Sequence, residues 1–239
     1  PCKGCGRPMV WAELFDDGLI DIMALCGPSY VSVGIQTTNP RALRNMARPF
    51  NAGRSAGNIE KLTNRTAMDI RTDIILGLPG DDFAGFTRTL NWALSLKPAP
   101  KLMLFDLVLL KNSFLWGEIS HFGVKTNERR IVTSNYTFSE IELLRASRLA
   151  LAYNWMLADG SLSLFHSVLE DRDVHPARLL EYVGEEMRHA GLIGDSRVWL
   201  DTAPPARSKD FFAGTLSRFP RRNLSRKSRG SAGAGDTVR

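Results

Sequence analysis

Three polar side chains stand where strand-like or helical segments begin or end, and each is of a type that grips a small molecule. Gln36 closes the apolar "YVSVGIQ" and offers an amide that bonds ribose hydroxyls or caps the strand. Arg48, in "RNMARPF", falls where a helix must stop before Pro49. Its guanidinium can satisfy the last helical carbonyls or fork onto a carboxylate or phosphate. Asp73 leads the third segment, "DIILGLPGDD". There Gly77 lets a ligand approach the backbone, Pro79 and Gly80 make a turn, and Asp81 and Asp82 read as caps of the next helix. On local physics alone this stretch is equally a buried strand with its turn or a ligand site.

The elements that must position these residues alternate between strand and helix. Residues 9–14, "MVWAEL", read as a short strand, and Leu19, Ile20, Ile22, Met23 and Cys26 recur at helical spacing between Asp16 or Asp17 and a Gly27-Pro28 stop. A second strand covers residues 30–36, after which Asn39 caps a helix with Pro40 in its first turn. A helix through Asn58, Ile59 and Leu62 precedes a strand over residues 73–78. Phe83, Phe86, Leu90, Ala93 and Leu94 then form one apolar helical face, and "KLMLFDLVLL" is a near-continuous apolar strand. Four βα-like units in succession predict an α/β fold with a parallel sheet and right-handed crossovers. Beyond Phe114 the pattern becomes helical: a short helix over residues 115–122, a long one opened by Ser139 and Glu142 in capping-box spacing, and two more over residues 162–169 and 176–190.

Composition narrows the function classes. The chain has 239 residues, 44% hydrophobic and 23% charged, enough for a sizeable core. No segment is apolar for long enough to span a bilayer, and residues 1–6 do not read as a secretory signal, so a cytoplasmic protein is expected. Three cysteines, Cys2, Cys5 and Cys26, fit a reducing compartment. The chain opens on Pro1, which suggests processing or a fragment of something longer. The net charge of +6 comes from the end: nine basic and two acidic residues from Ala206 onward, against 22 and 23 before it. Residues 206–239 therefore read as a solvated, disordered basic tail rather than a nucleic-acid-binding surface. His121, His166, His175 and His189 are scattered and read as surface or cap residues rather than zinc ligands.

Taken in order, "VGIQTTNPRALRNMARPF", "DIILGLPGDDFAGFTRTLNWALSLKP" and "KLMLFDLVLL" resemble consecutive parts of a radical S-adenosylmethionine (SAM) enzyme, nearest the branch that carries a cobalamin-binding domain. The resemblance covers roughly residues 10–154. It implies a partial (βα) TIM-like radical SAM barrel over residues 1–113, a C-terminal helical extension over 114–205 and the basic tail. It also implies that Gln36 and Asp73 contact the SAM ribose, that Arg48 holds the methionine carboxylate, and that Gly77 and residues 102–110, Leu107 among them, line the adenine. Family members bind a 4Fe-4S cluster through Cys-x-x-x-Cys-x-x-Cys. Cys2 and Cys5 match the spacing of the last two ligands, or are a coincidental pair. Where relatives carry a Pro-Gly-Thr turn, this chain has "LLKNS".

Two functions follow from the resemblance. In the first, an intact parent with its cluster, an electron donor such as a flavodoxin or ferredoxin and, as in the branch it resembles, cobalamin generates a 5′-deoxyadenosyl radical that acts on a small-molecule substrate. In the second, the chain is a non-catalytic partial barrel or a SAM-binding module without the cluster.

Overall fold

The computed structural model describes residues 9–27, 29–194, 200 and 202–220. Its sheet holds β1 (Met9–Val10), β2 (Tyr30–Gln36), β3 (Asp69–Leu76) and β4 (Lys101–Asp106), in that spatial order and all parallel. Between them run α1 (Asp17–Cys26), α2 (Pro40–Asn45), α3 (Ala52–Arg65) and α4 (Phe83–Ser95). Parallel strands laid down in sequence order, joined by right-handed crossovers, put every connecting helix on the same side. Burial agrees with this: Val31, Val33, Ile35, Ile70, Ile74, Leu102 and Leu104 are buried, whereas Ser32, Ile75 and Met103 on the alternate face are half-buried and Phe105 is exposed. The fold is α/β, and its uninterrupted strand order is that of a barrel arc; a doubly wound sheet reverses direction part-way.

Capping chemistry sets the helix limits. Asp16 accepts from Leu19 N (2.7 Å) to open α1, and Gly27 closes it in the left-handed region at φ 61°. Asn39 caps α2 ahead of Pro40, Asn51 caps α3, and Asp82 caps α4. After β4 come α5 (Phe114–Gly117), a small antiparallel pair β5 (Lys125–Thr126) and β6 (Val132–Ser134), and the helices α6 (Glu140–Asp159), α7 (Leu162–Arg172), α8 (Pro176–His189) and α9 (Ser208–Arg218). The reciprocal Ser139–Glu142 capping box opens α6 as its spacing predicts.

Several expectations need correction. The strand expected over residues 9–14 is two residues long, followed by a 3-10 turn at Ala12–Leu14. Asn58 of α3 donates to the carbonyls of both Ala12 and Phe15, and Ser55 donates to Glu13, so the segment folds back onto α3 instead of extending. β3 begins at Asp69, four residues ahead of Asp73, because Ile70 already packs in the core. The helix over residues 115–122 is a single turn, Phe114–Gly117. The tail does not start at residue 206: α9 buries Phe212 and Leu216 completely and packs on α6, α7 and α8. Those two apolar side chains, spaced i and i+4, supply the burial that the surrounding charge obscures.

The outer edge of β4 is closed by side chains rather than by another strand. Tyr153 OH accepts from Leu102 N (3.2 Å), and Asn154 Nδ2 donates to Leu104 O (2.9 Å) and to Leu200 O (3.2 Å). Tyr153 is fully buried, which pushes its hydroxyl up to about 12. Tyr153→Phe leaves the Leu102 N–H without its acceptor, so it is expected to lower stability by about 1–3 kcal/mol, seen as a lower urea midpoint at unchanged m.

Candidate functional site

The residues singled out by type gather at the carboxyl ends of β2 and β3. Gly34 and Asp73 are register partners in the parallel pair, so their side-chain directions share the bare face of the sheet. Ser32 Oγ donates to Asp73 Oδ2 (2.5 Å), while Asp73 Oδ1 accepts no hydrogen bond among the described residues. Asp73 is 7% exposed. Its burial pushes the carboxyl above the ordinary aspartate range, against the hydrogen bond from Ser32 and the positive field of Arg71.

Arg48 reaches the same place from the far side of α2. That helix ends at Asn45, and the chain reverses through Ala47, a non-glycine residue at φ 49°. The guanidinium does not serve the helical carbonyls; Arg48 Nη2 donates to Gly34 O, and the group lies 4.8 Å from the Trp11 ring centroid. A Cβ on Gly34 would stand 3.2 Å from Arg48 Nη2, which is the spatial reason for glycine there. Burial depresses the Arg48 pKa below its ordinary value, and Glu13 opposes that. Gln36 ends β2 at a bulge, with φ 65°. A left-handed non-glycine costs about 1–2 kcal/mol, a strain that clusters at functional sites. The Gln36 amide makes no hydrogen bond among the described residues.

Gly77 and Leu107 meet each other, but in the core. A Cβ on Gly77 would stand 3.3 Å from Leu143 Cδ2 of α6 and 3.9 Å from Leu107 Cβ. The Gly77 carbonyl accepts from Asn135 Nδ2 (2.9 Å). Gly77, at φ 94°, thus has a packing reason of its own, the close approach of α6. Cys2 and Cys5 lie outside the described residues, and Cys26 is exposed at the end of α1. Among the described residues no group of three or more His, Cys, Asp or Glu could hold a metal ion, and no helix is long and apolar enough to cross a membrane.

No protein-family profile and no curated protein matches the chain. Among solved structures it is similar to coproporphyrinogen III oxidase (HemN) from Escherichia coli, described as a radical SAM enzyme, at 21% identity and a TM-score of 0.41. The match covers 45% of this chain and 24% of that one, so the chain spans about a quarter of that protein's length.

One residue that braces the candidate site escapes a reading from local pattern. Asp82 caps α4 as expected, accepting from Gly85 N (2.6 Å), but Asp81 does something else. It is 2% exposed and accepts from Thr37 Oγ1 (2.8 Å), Asn39 Nδ2 (2.9 Å) and its neighbour Asp82 N (3.0 Å). Thr89 of α4 extends the cluster, taking Thr38 N (3.0 Å). The carboxylate therefore ties the turn after Gln36 to the turn after Gly77. The polar run "TTN" directly behind an apolar strand was its signal, since buried polar groups need a partner.

Burial raises the Asp81 pKa, opposed by its bonds from Thr37 and Asn39. Between the ordinary carboxylate value and the raised one, the folded chain keeps a proton that the unfolded chain has released. Stability drawn from this group therefore falls as pH climbs through that window. Asp81→Asn abolishes that titration, so its stability relative to the wild type is expected to rise as pH climbs above the ordinary aspartate range, about pH 4, measured by thermal melts across pH. Gly85→Ala would place its Cβ 1.9 Å from Asp81 Oδ1. It is expected to cost about 1–3 kcal/mol in urea unfolding, as overpacking in a pinned core does.

Proposed function

We propose that the bare face at the carboxyl ends of β2 and β3 binds S-adenosylmethionine, as part of a radical SAM-type barrel. The observation that carries this reading is unspent hydrogen-bonding capacity: Asp73 Oδ1 is open, and Arg48 gives a single donor to Gly34 while its other N–H groups have no partner among the described residues. Charged groups held on one strand face with hydrogen-bonding capacity to spare suit a ligand that carries the complementary groups. The ligand has them: ribose hydroxyls to donate to Asp73, an amino-acid carboxylate for the Arg48 fork, and a further ribose contact for the strained Gln36. These are the roles that the resemblance assigns to the same residues.

In this reading Asp73 orients the ribose, Ser32 holds the Asp73 carboxylate by its other oxygen, and Trp11 keeps the Arg48 guanidinium flat against the sheet. Gly77, packed close to Leu143, and Leu107 beside it shape the wall toward the adenine from behind. Beside a reduced iron–sulfur cluster such a ligand supplies radical chemistry. Nothing on the described face bears on cobalamin.

Calorimetric titration with S-adenosylhomocysteine tests the site. One saturable site is expected, with affinity reduced roughly tenfold or more in Arg48→Ala and in Asp73→Asn, the weight of a charge-assisted bond. Absence of binding, or unchanged affinity in variants that melt as folded proteins, would sink the proposal.

A further inference from the structure

A second site lies at the other end of the same strands. Arg71, third in β3, and Lys101, first in β4, are register partners, on the opposite side of Asp73 from Gly77. They open onto a cavity of about 560 Å³ whose wall is completed by Met103, Trp155, Leu157 and Leu200. Its volume falls within the range of small-molecule sites, ~300–1,000 Å³.

The indole N–H of Trp155 and the amide of Asn154 are already committed. Trp155 Nε1 donates to Thr202 O (2.6 Å), leaving its ring as apolar surface, and the Asn154 amide is spent on Leu104 and Leu200. The charged groups among the described lining residues are Arg71 and Lys101, with no carboxylate. Asp69 holds both cations from outside the cavity, taking Arg71 Nε and Nη2 (3.0 Å each) and Lys101 Nζ (2.9 Å). Arg71 also lies 4.3 Å from the Tyr30 ring centroid, which fixes its plane. One carboxylate thus orients two cations and neutralises one of them. Arg71 keeps both N–H groups of Nη1, and Lys101 keeps two ammonium protons, for a further acceptor.

We infer that this cavity binds an amphipathic monocarboxylate, its carboxylate bridging Arg71 and Lys101 and its apolar body against Trp155, Leu157 and Leu200. The proposal does not depend on the SAM reading, although the two sites adjoin: Met103 is the register partner of Asp73. Full-length chain titrated with octanoate should show one saturable site, and 1-octanol of equal length should bind at least tenfold more weakly. Lys101→Gln, at a side chain 54% exposed, should weaken octanoate roughly tenfold and leave octanol unchanged. Arg71→Gln should do the same; should it fail to fold, Lys101→Gln decides the matter alone. No saturable binding, equal affinity for the alcohol, or indifference to Lys101→Gln overturns the proposal.

Discussion

The buried carboxylate of Asp81 is the joint on which the candidate site depends. A parallel sheet offers its ligand-facing groups from loops that have no strand partner, so their positions must be fixed by something other than the ladder. Here Thr37 and Asn39 behind β2 and the turn behind β3 converge on one aspartate, with Thr89 holding the set to α4. Gln36 immediately precedes this cluster and takes up a strained backbone conformation beside it. Backbone strain persists where the surroundings over-determine it, and the Asp81 cluster is that surrounding.

A second group of bonds anchors the same turns from the helical side. Asn135 holds the Gly77 carbonyl, Thr137 takes Gly80 N, and Asn45 reaches Pro79 O. The "GLPGDD" turn is therefore fastened both to the neighbouring βα turn and to the segment that leads into α6. With its backbone so constrained, recognition in the proposed site rests on the side chains of Arg48 and Asp73 rather than on loop movement.

Where one residue's environment is local, the chain's pattern was readable: β2, the caps of α1, α2 and α4, and the Ser139 box stand as spacing alone requires. Misreadings came where distant partners decide. Asn58 shortens β1 by drawing Ala12 and Phe15 toward α3, and Phe212 and Leu216 order a segment whose charge suggests disorder. Gln36, Arg48 and Asp73 were recognisable by type and position; that Arg48 would turn back onto Gly34 was not, since it follows from the left-handed Ala47. Gly77 shows the same limit in reverse, because a glycine that admits a ligand and one that admits Leu143 look alike in one dimension.

The closure of β4 by Tyr153 and Asn154 gives the sheet a polarity of assembly. Strand addition needs a row of free N–H and C=O groups, and on this side Tyr153 and Asn154 of α6 have taken them at Leu102 and Leu104. The antiparallel bridge between Val108 and Ile131 turns the continuation of the strand toward β6 as well. Any strand that joins this sheet, whether from the same chain or another, must therefore dock beside β1, and the sheet can grow in one direction alone.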